Sequence, residues 1–150
     1  MSEHPGAGER FITTRSKSAR CAPEAILDLV KRPATWPDWQ HEILATEGPV
    51  VLEAGDVATG HASMLGFNVR GQAVAQGSTE QGFSHFVVVG VGMTVSYEVE
   101  ETSEGAEITH RIESDLPTGL LGTLLSFFLK RRLKRMQSKL IEELVVQAEG

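Results

Sequence analysis

The sequence predicts an α+β domain in which about seven antiparallel strands curve round one long C-terminal helix. Three observations predict it. Residues 43–115 alternate apolar and polar side chains with a period of two, in six segments separated by short turns. Strands joined by turns this short must run antiparallel, because a parallel crossover needs about a dozen residues or more. After Pro117 the period becomes helical and stays so to about Gln147. A sheet with one apolar face and a helix with one apolar stripe are then left to cover each other.

The elements follow in order. Residues 1–8 form a polar tail containing Gly and Pro and are expected to be disordered, which leaves 9–150 as a single domain. Phe11 to Ala19 lacks helical periodicity and reads as a half-exposed first strand. Ala22-Pro23-Glu24 opens a helix, since Pro is tolerated in the first turn and Glu24 suits its positive end. Ile26, Leu27 and Val30 give its apolar face, and Pro33 stops it. Thr35 to Trp39 reads as a second short helical turn capped by Thr35. Strands are expected at Leu44–Val51, Val57–Leu65, Phe67–Gln76, Phe83–Val89, Met93–Glu100 and Glu107–Ser114. Turns around Gly55, Gly66, Gly77–Gly82, Gly90–Gly92 and Thr102–Gly105 separate them. The last helix, from about Gly119 to Gln147, spans ~40 Å at ~1.5 Å per residue. Its expected stripe contains Leu121, Leu125, Phe128, Met136, Leu140 and Leu144, with Leu124, Leu129, Leu133 and Val145 beside it.

Composition narrows the function classes. With 150 residues, 41% of them hydrophobic, the chain can bury a core without staples, and the lone Cys21 excludes an internal disulfide. A net charge of −6 is the wrong sign for a nucleic-acid footprint. The N-terminus has neither a basic nor an apolar region of the secretory kind, so a cytoplasmic location is expected. The apolar run Leu116–Leu129 is interrupted by Pro117, Gly119 and Gly122 and is shorter than the ~20 residues that span a bilayer. No Cys/His spacing suits zinc, and no Gly-x-Gly-x-x-Gly, Walker-type or Gly-x-Ser-x-Gly motif occurs. Nothing in the sequence therefore calls for a metal or a cofactor.

The order strand, two short helices, six strands, long helix, with Ala22-Pro23-Glu24 and Trp36-Pro37-Asp38-Trp39 in their places, resembles a known superfamily. It is similar to the START-related, polyketide cyclase/dehydrase-like (SRPBCC) proteins of helix-grip fold. The likeness covers roughly residues 9–147, and the Gly55-Asp56 turn and the Pro117-x-Gly119 entry to the last helix fit it as well. The glycine-rich hairpin of the plant allergen branch is missing, since Glu53-Ala-Gly-Asp56 has one glycine. The resemblance implies a hydrophobic cavity between the sheet and the C-terminal helix, and with it a hydrophobic small-molecule partner of lipid, polyketide, isoprenoid or quinone type. It does not by itself imply an enzyme.

Alternation assigns side chains to that interior. Met93, Val95 and Tyr97 share one strand face, and His110 faces inward between Ile108 and Ile112. Phe67 and Val69 group with Ala73 and Ala75. His61 and His85 sit in strands where both faces compete. The expected ligand-binding set is Trp36, Trp39, Met64, Phe67, Val69, Met93, Val95, Tyr97, His110, Leu121, Leu125 and Phe128. His110, Tyr97 and His85 are the catalytic candidates, because an imidazole and a phenol together can serve enolisation as general acid and base. The alternative for each is an ordinary core residue hydrogen-bonded to a neighbour. Finally, residues 130–150 carry 6 basic and 3 acidic side chains, against 8 and 17 in the rest of the chain. Lys130, Arg131, Arg132, Lys134 and Arg135 are thus either a solvated face or a weak contact with an anionic membrane.

Overall fold

A computed structural model describes residues 9–64, 66–89, 92–116 and 120–150, with the side chains of Glu9, Met64, Leu116, Leu120 and Leu121 excepted. Seven strands form one antiparallel sheet: β1 (Glu9–Ala19), β2 (Ile43–Glu47), β3 (Val57–Met64), β4 (Phe67–Ser78), β5 (Gly82–Val88), β6 (Gly92–Thr102) and β7 (Gly105–Leu116). Their order across the sheet is β1-β7-β6-β5-β4-β3-β2. The chain winds as a meander from β2 to β7, and β1 closes against β7 in unbroken register from Glu9↔Leu116 to Ala19↔Ala106. Helix α3 (Leu120–Glu149) packs against this sheet as the helix-grip arrangement requires.

The two short helices lie between β1 and β2. Helix α1 (Pro23–Lys31) has Pro at its start, Glu24 in its first turn and Lys31 in its last, and it buries Ile26, Leu27 and Val30. A 3-10 turn (Pro33–Thr35) leads into α2 (Trp36–Trp39). Thr35 does not cap α2 through its side chain. Its hydroxyl lies 2.8 Å from both Leu29 O and Arg32 O instead, tying the second turn to the end of α1, and it accepts the Trp39 Nε1–H at 3.1 Å.

Strand β2 ends at Glu47, four residues before the sequence pattern suggests. Gly48 and Pro49 follow, and a Pro has no N–H to give a ladder. Leu52 then drops into the core, and its N–H donates to Lys31 O at 2.8 Å. A bulge between Ile43 and Ala45 curls this edge inward and brings the Ala45 carbonyl onto Gly60, where a Cβ would collide with it. At the opposite end, Gly105 has φ +144°, and a Cβ there would lie 2.5 Å from Ala19 O and 2.8 Å from Cys21 N. Only glycine allows the β6–β7 turn to pass this close to the exit of β1.

Alternation in β6 holds from Gly92 to Glu100. Met93, Val95, Tyr97 and Val99 are buried, and Glu98 and Glu100 are exposed. The histidine that alternation left open in β5 is settled: His85 is buried, whereas Phe86 and Val88 face outward. His61 in β3 is exposed.

Candidate functional site

Between the concave face of the sheet and α3 lies a cavity of about 130 Å³, open at its rim and with a mostly apolar lining. The space has a simple origin. Strands β3 and β4 present Ala58, Gly60, Ala62, Gly71 and Ala73 to it, so this side of the interior has little side chain to fill it. Opposite stand Leu133, Met136 and Leu140 of α3, and Met93, Val95 and Ile112 of β6 and β7. Trp36 closes one side and is fixed by its Nε1–H, which donates to Val30 O at 2.9 Å. Glu42, His61 and Arg132, none of them buried, stand at its rim.

Three polar rings face this interior: His85, Tyr97 and His110. They meet edge to face, with ring centroids 6.0 Å apart for His85–Tyr97 and 4.8 Å for Tyr97–His110. Trp36 stacks edge-on to His85 at 5.3 Å. Burial sets the charge of all three. Desolvation takes His85 down to about 4, and desolvation followed by repulsion from His85 takes His110 down to about 3. Desolvation raises the Tyr97 hydroxyl above its ordinary value. The three rings are therefore uncharged at neutral pH. Two of its buried nitrogens, His85 Nδ1 and His110 Nε2, have no hydrogen-bond partner among the described residues.

His110 is held from behind by a residue the sequence pattern did not single out. Gln137 of α3 is fully buried and bonds Thr13 of β1 and both the ring and backbone of His110 in β7. The only signal for it is positional: Gln137 lies four residues after Leu133 and three before Leu140, on the inward stripe.

Of the expected ligand-binding residues, the structure places Trp36, Met93, Val95, Tyr97 and His110 on the cavity. Trp39 is buried behind it, edge-on to Tyr97 at 6.2 Å. Three expectations are corrected outright. Phe67 is 72% exposed, because it sits at the end of the β3–β4 hairpin. Leu125 and Phe128 are 42% and 56% exposed, because the inward stripe runs through Ser126, Leu129, Leu133, Gln137, Leu140 and Leu144 and turns them away. Val69 is half-buried but does not line the cavity. The side chains of Met64 and Leu121 lie outside the described residues.

The basic cluster also divides. Arg131, Lys134 and Arg135 are exposed, while Arg132 turns to the cavity rim and Lys130 is half-buried with its Nζ 6.0 Å from the centre of the Phe11 ring. Leu124, Phe127 and Phe128 are exposed just before them on the outward side of α3. Among the described residues, no helix is long and apolar enough to cross a membrane.

Comparison with known proteins agrees with this architecture. The aromatase/cyclase Zhui from Streptomyces sp. R1128 superposes with a TM-score of 0.81 at 7% identity, over 94% of each chain. TTHA0849 from Thermus thermophilus gives 0.75 at 16% identity, over 93% of this chain and 97% of that one. The di-domain aromatase/cyclase StfQ of the steffimycin biosynthetic pathway gives 0.77 at 12% identity, over 93% of this chain and 51% of its own. At these identities the likeness shows the fold alone. No curated protein matches the sequence. Residues 10–149 match the family described as polyketide cyclase / dehydrase and lipid transport, and the chain belongs to that family.

Proposed function

We propose that the protein binds a small hydrophobic molecule of lipid, polyketide, isoprenoid or quinone type in the cavity between sheet and helix, as a carrier or sensor rather than a catalyst. The observation that carries this reading is an apolar cavity whose buried polar groups are all uncharged. An apolar guest gains about 25 cal/mol for each Å² it removes from water, and a charged guest would find nothing inside to offset its desolvation. For scale, an engineered apolar cavity of about 150 Å³ takes a benzene. A space of about 130 Å³ that opens at its rim suits one or two small fused rings or a short branched chain, with any longer part of the guest lying toward the rim.

The alternative is a polyketide cyclase/dehydrase-like enzyme using His110, Tyr97 and His85. It is favoured by the contiguous edge-to-face run of the three rings. Their protonation weighs against it. A general base works best with a pKa near the operating pH, and a histidine at about 3 or 4 is a poor base and is uncharged at neutral pH. Conversion of a linear poly-β-ketone probe, lost in His110→Ala and Tyr97→Phe, would establish the enzyme; a probe recovered unchanged removes it.

The carrier reading is tested with indane, an apolar bicycle with no polar atom. Binding to the wild-type protein, followed by calorimetry or tryptophan fluorescence, is expected to fall at least tenfold in Ala73→Phe, which places a phenyl ring in the cavity while unfolding stays cooperative. Absence of indane binding to the wild type removes the reading. We further propose that the exposed Leu124, Phe127 and Phe128, with Arg131, Lys134 and Arg135 following, meet an anionic bilayer surface. Flotation with phosphatidylglycerol vesicles should then weaken with salt and be lost in Phe127→Ser/Phe128→Ser, and flotation that is absent or indifferent to salt overturns it.

A further inference from the structure

Of the polar groups at this end of the cavity, His110 is the one whose free hydrogen bond can be worked out from the contacts behind it. The Gln137 side-chain nitrogen lies 3.1 Å from two backbone carbonyl oxygens, Thr13 O and His110 O. Its amide oxygen accepts from Thr13 Oγ1 at 2.9 Å. Carbonyls only accept, so the amide nitrogen faces them and the amide oxygen faces the Thr13 hydroxyl, the two N–H bonds being shared among the acceptors around them. The same nitrogen lies 2.9 Å from His110 Nδ1. Facing an N–H group, Nδ1 holds the lone pair, and the single proton of the neutral ring is on Nε2. Nε2 is buried and has no partner among the described residues. His110 lines the cavity, and with Nδ1 occupied the ring has only the Nε2–H left to offer a guest.

From these contacts we infer that the cavity selects a neutral apolar molecule carrying a hydrogen-bond-accepting oxygen, in the simplest case a carbonyl, and that His110 Nε2–H donates to that oxygen. The inference rests on the cavity being a ligand site and names the chemistry of its guest. A hydrocarbon would leave a desolvated donor unmade, which costs more than a typical hydrogen bond contributes net. A carboxylate would accept more strongly, but the charged residues of the lining, Glu42 and Arg132, stand at the rim, and a carboxylate buried beside the neutral His110 would lack a charge of opposite sign among the buried groups. Gln137 and Thr13 act as positioning residues: they fix the tautomer and the ring, and the hydrogen bond to the guest comes from His110.

The test compares 1-indanone with indane, which differ by one carbonyl oxygen, in the wild type and in His110→Leu. The ratio of indanone to indane affinity is expected to be about tenfold higher in the wild type, a ratio of ratios in which the different water solubilities of the two probes cancel. In the wild type, the infrared carbonyl band of bound indanone should also shift to lower frequency than in hydrocarbon solvent, a reading that stands even if His110→Leu fails to fold. An unshifted band overturns the inference, as does an equal ratio in a folded His110→Leu variant. If neither probe binds the wild type, the cavity reading itself has failed.

Discussion

Taking the protein from pH 7 to pH 5 is expected to lower its unfolding free energy by about 3–4 kcal/mol, roughly half from each of two buried histidines. The sign follows from where the protons go. His85 and His110 stay neutral in the folded protein down to about 4 and about 3, while in the unfolded chain they titrate at the ordinary 6.5. Above that value neither state is protonated and the rings leave stability unchanged. Below it the unfolded chain takes up two protons that the folded one refuses, so stability falls at about 1.4 kcal/mol per pH unit for each ring. The loss levels off only once the folded-state values are passed. Urea unfolding at pH 7, 6 and 5 measures it. His85→Phe, which keeps a ring beside Trp36, Phe83 and Tyr97, should show about half the wild-type slope. A stability that is flat from pH 7 to 5 would mean that both rings reach water.

Gln137→Leu is expected to cost about 2–4 kcal/mol, although it exchanges a polar side chain for an apolar one of similar size in the core. The leucine leaves the Thr13 hydroxyl, the Thr13 and His110 carbonyls and His110 Nδ1 without their side-chain partner in a site closed to water. The same bonds fasten α3 to β1 and β7, so the loss falls on the contact that holds the helix in the sheet. Thr13→Val removes one of them and should cost about 1 kcal/mol. The double variant should cost less than the sum of the two, because the residues share a network. Denaturant midpoints decide it, and a Gln137→Leu protein as stable as the wild type would show that the network is not closed.

The fold could be read from the sequence because it depends on pattern. Six period-two segments, a proline-led short helix and a long C-terminal stripe are each repeated signals, and a few misjudged residues do not change them. Strand β2 came out short because the pattern carries through Gly48-Pro49 while the ladder does not. The interior of the site was half legible. Alternation put Met93, Val95, Tyr97 and His110 on the cavity side, since β6 and β7 are central strands with one face buried. On α3, apolar character proved a poor guide. Leu125 and Phe128 are exposed, while Ser126 and Gln137, polar and easy to assign to the surface, are buried. Sequence hydrophobicity gives the approximate direction of a stripe but does not separate neighbours 100° apart when both flanks are leucine-rich. The cavity itself was written in small residues, Ala58-x-Gly60-x-Ala62 and Gly71-x-Ala73, which alternation counts as weak strand signal. A side chain's absence is what leaves this space.

The most direct measurement of the central claim is a titration of the isotopically labelled protein with indane, followed residue by residue through its amide and side-chain resonances. Occupation of the cavity predicts saturable shifts at Trp36, Val95, Tyr97, His110 and Leu133, which surround the space on the sheet, the second short helix and α3. Shifts confined to the exposed Leu124, Phe127 and Phe128, or no saturable shift at all, would contradict it and leave the interior as core.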